Sequence, residues 1–340
     1  MKMKKKIKVL LLGGTIAYSE KSGKPAVGDI TGLALNMPEV ESYAELSVEK
    51  FRQISSPDFQ VEVAVELAQR IYQVLDEEKP DGIVVVQGTD VMDEVAFSLH
   101  LLVDTEVPIA ITGAMRNPDM RGADGPENLL AAIQVAASDN CRGIGTVVVF
   151  NDVIMSAGTV RKAHPQSTGA FVSEYPLGYV AEGVPSLRVW PIKRPLPWLQ
   201  LKSNIVRTLP IYAAPLGDDG LILSKIKELG YPGLVVEGTG GGHCSSRIVP
   251  ALLELAKDIP VVLTSRVAVG DLLTSTYGDC PGTEKYLYER GIICGGILNA
   301  RQARLLLIYL LMSECTEEQI RKSFEIYSKA YQIPNTYHFL

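Results

Sequence analysis

Several familiar signals are absent from this 340-residue chain. Lysine and arginine total 33 against 39 aspartates and glutamates, a net charge of −6, so no positive excess exists to neutralise a phosphate backbone and no nucleic-acid partner is expected. No apolar run approaches the roughly 20 residues that cross a bilayer, so no membrane partner is expected either. The Lys-rich start, residues 1–8, resembles the head of a secretory leader, but the apolar stretch after it, Val9 to Leu12, ends at two glycines and is too short. Five cysteines (Cys141, Cys244, Cys280, Cys294, Cys315) form no CxxC pair, which argues against a disulfide framework or a zinc site and points to reduced thiols in a cytoplasmic setting. The histidines His100, His164, His243 and His338 share no ligand spacing, so no metal is expected. Internal repeats and low-complexity tracts are also missing.

What is present is ample apolar material, 46% of residues, in a chain long enough for two domains. Apolar runs at 7–12, 82–87, 107–112 and 145–150 alternate with helical patterns, the signature of βαβ units around a mainly parallel sheet. Val63, Leu67, Ile71, Val74 and Leu75 recur at helical spacing and predict a helix over 61–76. Pro126 suits a first helical position and predicts a second helix through Ala137. The rhythm breaks over 186–206, where Val189–Trp198 holds three prolines and both tryptophans, a stiff connector. Strands at 208–213, 233–237 and 260–264 and helices near 219–229, 247–257, 300–313 and 316–329 follow, with Thr316 and Gln319 as a capping box for the last. The expected architecture is two α/β domains. A larger N-terminal one (1–190) has a mainly parallel sheet flanked by helices and carries the catalytic residues. A linker (191–206) and a smaller C-terminal α/β domain (207–340) complete it.

Three polar groups punctuate the apolar runs: Gly13-Gly14-Thr15, Gly88-Thr89-Asp90 and Arg161-Lys162-Ala163-His164. The first two lie just beyond strand ends and the third is reached after the run at 147–150; the carboxyl ends of strands are where open α/β sheets gather ligand-binding loops. Each also has an ordinary reading: a strand-to-loop turn for the glycine pair, a helix N-cap for Thr89 or Asp90, a solvated loop lysine for Lys162. If they meet, they supply a hydroxyl nucleophile and a proton relay, with burial making the lysine able to accept a proton. The run Gly238-Thr239-Gly240-Gly241-Gly242-His243 matches neither a P-loop nor a dinucleotide fingerprint.

Together with Thr112-Gly113-Ala114-Met115-Arg116, Ala123-Asp124-Gly125-Pro126-Glu127-Asn128-Leu129-Leu130, Gly295-Gly296-Ile297-Leu298-Asn299 and Gln302-Ala303-Arg304, these stretches resemble the bacterial-type L-asparaginases over nearly the whole chain. The resemblance implies a two-domain α/β amidohydrolase without a cofactor, acting on a small amide. Thr15 would attack the side-chain amide carbon and form an acyl-enzyme. Thr89, Asp90 and Lys162 would move protons and position water, and backbone at Gly88 and Ala114 would polarise the carbonyl. Ser56 would hold the substrate's α-carboxylate. A homodimer or homotetramer is implied, with His243 of a neighbour bordering each site. Three positions depart from the family pattern: Lys24-Pro25-Ala26 stands where a loop tyrosine is usual, Pro57 replaces a glutamine, and His243 replaces an asparagine. Lost polar contacts can re-specify a hydrogen-bonding pocket, so an amidohydrolase with a shifted substrate (another amino-acid amide or a cyclic amide) is the main alternative. A transfer-RNA amidotransferase subunit is disfavoured by the lack of a basic patch. A non-catalytic amino-acid sensor is disfavoured by the retained Thr15, Thr89, Asp90 and Lys162.

Overall fold

The computed structural model describes residues 4–14, 18–19, 26–27, 38–191, 195–203 and 208–328. The chain divides into two compact units, Met1–Pro191 and Ile192–Leu340.

The first unit is built on an eight-stranded sheet. Its parallel part comprises β1 (Lys5–Leu11), β4 (Ala44–Lys50), β5 (Gly82–Val86), β6 (Ile109–Thr112) and β7 (Thr146–Phe150), in spatial order β4-β1-β5-β6-β7. The short strands β2 (Tyr18–Ser19) and β3 (Ala26–Val27) pair separately. Strands β1, β5, β6 and β7 run where the apolar stretches predicted, shifted by one or two residues at their ends, whereas β4, whose sequence AELSVEK is half polar, was not predicted. Residues of β5 are buried on both faces, as a parallel strand covered by helices requires. Ile83 and Val85 pack with Leu67, Ile71 and Val74 of α2 (Val61–Glu77) and with Val95 and Leu99 of α3 (Met92–Leu102). Val84 and Val86 pack oppositely with Leu129, Ile133 and Val135 of α4 (Gly125–Ala137). Each fully buried aliphatic of this kind contributes about 1.5–3 kcal/mol relative to exposure. The short helix α1 (Pro38–Glu41) precedes β4.

Beyond β7 the sheet turns antiparallel, through β8 (Val153–Ser156), β11 (Gly178–Ala181) and β12 (Val184–Leu187). Asn151 and Asp152, at φ 51° and 61°, make the two-residue turn between β7 and β8. Ser186 and Leu187, where the sequence rhythm breaks, instead end this sheet. Between β8 and β11 a small hairpin of β9 (Arg161–Lys162) and β10 (Phe171–Val172) stands apart from the main sheet. Lys162, expected in a polar loop, is therefore on a strand.

The second unit holds a four-stranded parallel sheet, β13 (Ile211–Ala213), β14 (Leu234–Gly238), β15 (Val261–Ser265) and β16 (Ile293–Cys294), in that order. Strand β13 is shorter than the predicted 208–213. The helices are α5 (Leu221–Glu228), α6 (Val249–Leu255), α7 (Glu284–Tyr288), α8 (Ala300–Met312) and α9 (Glu317–Ser328). Both long C-terminal helices start on capping boxes: Asn299 with Gln302 for α8, and Thr316 with Gln319 for α9 as the sequence predicts. In the connector, the Trp198 indole N–H donates to Ser323 Oγ on α9 at 2.7 Å. Among the described residues no helix is long and apolar enough to cross a membrane.

Candidate active site

Parallel order places the carboxyl ends of β1, β5 and β6 side by side, and the loops leaving them touch through glycine. Gly13 and Gly14 have φ of 102° and 100°, left-handed backbone that side-chain-bearing residues rarely adopt. A Cβ on Gly14 would fall 2.4 Å from the Gly88 nitrogen, one on Gly88 2.6 Å from Ser56 Cβ, and one on Gly113 2.4 Å from the Gln87 carbonyl oxygen. The glycines are there because three backbones and a serine occupy one small volume. Thr15, the expected nucleophile, lies outside the described residues, as do Lys24 and Pro25.

The structure brings Thr89, Asp90 and Lys162 together. Lys162 Nζ lies 2.9 Å from Thr89 Oγ1 and 2.8 Å from Asp90 Oδ1, across some seventy residues of sequence. Thr89 is buried and Asp90 exposed, so the ammonium bridges an interior hydroxyl and a surface carboxylate. The N-cap reading of Thr89 and Asp90 fails: α3 is capped at Val91, with no side-chain cap bond. Just ahead of that helix Ser56 Oγ accepts from Asp90 N at 2.9 Å and from the N-cap Val91 N at 3.4 Å. Ser56, buried at the start of the 3₁₀ turn Ser56–Asp58, is thereby fixed against the Thr89–Asp90 loop.

Ala114, buried after β6, sits in a loop held by a polar cluster that the motifs did not single out by role. The Asp124 carboxylate accepts from Met115 N and Arg116 N at 3.0 and 2.9 Å, and Asn128 Nδ2 donates to the Gly113 carbonyl at 3.0 Å and to Asp124 at 3.1 Å. Asn128 Oδ1 accepts from Asn151 N, tying α4 to the turn after β7. Asp93 was also missed: its Oδ2 accepts from the Lys162 backbone N–H at 3.0 Å.

His243 stands in the second unit, at the end of the glycine-rich run after β14. That run is a tight turn, with Thr239 N and His243 N exchanging bonds with each other's carbonyls, and it uses those amides internally. His243 Nε2 is 3.0 Å from Glu284 Oε2, and its ring meets Tyr277 edge-on at 4.7 Å. Burial by itself would raise the Glu284 carboxyl, but the Tyr277 N–H and the His243 ring bring it below the usual carboxylate range. Neighbouring Cys244 is pushed up to about 12, chiefly by burial, and is an inert thiol. Among the described residues, no three His, Cys, Asp or Glu side chains gather as a metal-binding set.

Two family models cover almost the whole chain: "Asparaginase, N-terminal" over residues 6–192 and "Glutaminase/Asparaginase C-terminal domain" over residues 210–324. The chain belongs to the asparaginase family. Like the other members it is an amidohydrolase, a hydrolase of amide carbon–nitrogen bonds that takes a small amide. It is 31% identical to the glutaminase-asparaginase of Pseudomonas fluorescens biotype A over 93% of this chain and 89% of that one. The L-asparaginase of Bacillus licheniformis is 30% identical over 92% and 97% of the two chains. Among solved structures, the probable cytoplasmic L-asparaginase of Campylobacter jejuni aligns with a TM-score of 0.83 at 30% identity, covering 95% of this asparaginase-family chain and 99% of that one. The two-domain α/β architecture expected from the motifs is that of the family.

Proposed function

We propose that this protein is a cytoplasmic L-asparaginase, hydrolysing L-asparagine to aspartate and ammonia through an acyl-enzyme on Thr15. The observation that carries the reading is the Thr89–Lys162–Asp90 contact, with Nζ at 2.9 and 2.8 Å from the hydroxyl and the carboxylate. As the neutral amine, Lys162 accepts the proton of a hydroxyl or water; as the ammonium it returns one to the leaving ammonia, with Asp90 holding the charge. Thr89 positions and activates the water that releases the acyl group. Backbone amides around Gly88 and Ala114, in loops fixed by glycine contacts and by Asp124, stabilise the developing oxyanion. The Ser56 hydroxyl, whose oxygen already accepts from Asp90 N, keeps its proton to donate to the substrate's α-carboxylate. The active form is a homodimer or homotetramer in which His243 of one copy borders the site of another.

A shifted substrate is the second reading. It is favoured by Pro57, which puts no polar side chain beside Ser56, and by the engagement of the His243 ring with Glu284. One experiment separates the two: ammonia release on L- and D-asparagine, L-glutamine, β-aspartyl dipeptides and cyclic amides, with Thr15→Ala and Lys162→Ala as controls. L-Asparaginase activity that falls by at least about 10³-fold in both variants is the expected result. Turnover of another amide with silence on L-asparagine replaces the first reading by the second. A Thr15→Ala enzyme near its original rate rejects Thr15 as nucleophile.

A further inference from the structure

All three bonds that locate Lys162 relative to α3 come from one stretch of five residues. Thr89 and Asp90 hold its ammonium, and Asp93 Oδ2 holds its backbone N–H at 3.0 Å. Asp93 is 8% exposed although it is a carboxylate, and its other oxygen accepts from Glu94 N at 3.2 Å. A buried carboxylate in the first turn of a helix is stabilised by the helix dipole and by such N–H donors, so its cost of burial is offset locally. Its second bond is spent on a strand 69 residues away. Strand β9 is two residues long and has one strand neighbour, β10, reinforced by Ala163 N donating to Ala170 O at 2.7 Å. Those bonds tie β9 to its own hairpin, whose Ala170 and Phe171 pack in the same apolar cluster as Val95 and Leu99 of α3, so the bond from Asp93 is the one that fixes the Lys162 backbone itself. A lysine stem has four rotatable carbons, so the position of its Cα decides whether Nζ can reach both Thr89 and Asp90 at once.

We propose that Asp93 is a positioning residue for the reaction: it fixes the Lys162 backbone against α3, so that the ammonium enters the Thr89–Asp90 pair in one geometry. The inference rests on the role proposed for Lys162. Because Asp93 acts by accepting one N–H, an amide oxygen at the same place serves, and a side chain without an acceptor does not.

The test is steady-state ammonia release from L-asparagine by Asp93→Ala, Asp93→Asn and Lys162→Ala, each with its melting temperature. Displacing a reacting group by about 1 Å costs up to about a hundredfold, so Asp93→Ala is expected to lower kcat by about tenfold to a hundredfold. KM should stay within about threefold, since Ser56 and the carbonyl-binding loops are untouched. Asp93→Asn should recover kcat to within about threefold of the parent. Should Asp93→Ala fail to fold, Asp93→Ser, whose oxygen is too short to reach Lys162 N, takes its place with the same expectation. The inference is overturned if the acceptor-free variant keeps kcat within about twofold, if Asp93→Asn is as damaged as Asp93→Ala, or if the loss appears in KM instead. An active Lys162→Ala enzyme sinks the role of Lys162 itself. An inactive Lys162→Ala beside an unimpaired Asp93→Ala sinks only the role of Asp93.

Discussion

A methyl group is enough to test how the site is assembled at the residue scale. Gly88 has ordinary backbone, so an alanine there adds no conformational strain; what it meets is Ser56 Cβ at 2.6 Å and Gly14 Cα at 3.4 Å. Neither can yield without loss: Ser56 must give up Asp90 N, or the Gly13–Gly14 loop must withdraw. Gly88→Ala is therefore expected to lower kcat/KM by about a hundredfold, with only a small fall in melting temperature. A variant with parental kinetics would show that the two loops are not in contact. Thr89, Asp90 and Lys162 were legible in the sequence as motifs, although not as neighbours, because the contact spans a hairpin that no local pattern predicts. Asp93 was not legible at all. A carboxylate in a first helical turn has a sufficient local explanation in the helix dipole, and its partner lies far along the chain. Asp124 and Asn128 fell inside a recognised stretch, yet their work, donating and accepting bonds across the β6 loop, depends on a juxtaposition that spacing alone does not carry.

At the scale of elements, strand β1 carries an ionic network on the side that α2 covers. Lys8 is buried, with Nζ 2.7 Å from Glu78 and 3.0 Å from Glu49, and Arg70 of α2 makes two 2.9 Å bonds to the Glu49 carboxylate. The Arg70 guanidinium, helped by the Lys8 ammonium and against the opposing effect of burial, sets the Glu49 carboxyl below its ordinary value. Lys8 is shifted the other way: burial opposes its charge, but bonds to Glu78 and Glu49 outweigh it and raise the ammonium. A lowered carboxyl stabilises the fold above its unfolded pKa, and that contribution disappears as pH falls through the folded value. A raised lysine contributes below its unfolded pKa and loses that contribution only at alkaline pH. Acid unfolding between about pH 5 and pH 2 should therefore steepen through Glu49, and Glu49→Gln should flatten that limb. Parallel denaturation curves for the two proteins across the acid range would refute the assignment. The central parallel strands were plain in the sequence, since burial on both faces writes a continuous apolar run such as Gly82–Val86, whereas the edge strand β4, half exposed and half polar, was not. Strands β8, β11 and β12 were not. They are short, and Val184 and Tyr179 are exposed, so neither length nor alternation marks them.

On the scale of the whole molecule, the proposed chemistry and His243 belong to different units, Lys162 to Met1–Pro191 and His243 to Ile192–Leu340. The second unit also leaves Leu216, Leu221, Ile222 and Leu229 exposed within one short stretch, apolar surface of the kind that association covers. If the enzyme is a closed homo-oligomer in which each site takes Lys162 from one chain and His243 from another, two damaged chains can repair each other. In a mixed pair of Lys162→Ala and His243→Ala chains, one site carries both defects and the other carries neither. Random re-pairing of equal amounts then restores about one quarter of the parental sites. The measurement is ammonia release from L-asparagine by the two variants, separately and after co-expression, at a concentration where His243→Ala alone is impaired. Activity of the mixture above the mean of the two separate enzymes, rising toward about a quarter of the parent, is the expected result. Activity equal to that mean would place His243 outside any neighbour's site, and its ring would then serve the Glu284–Tyr277 packing of its own unit.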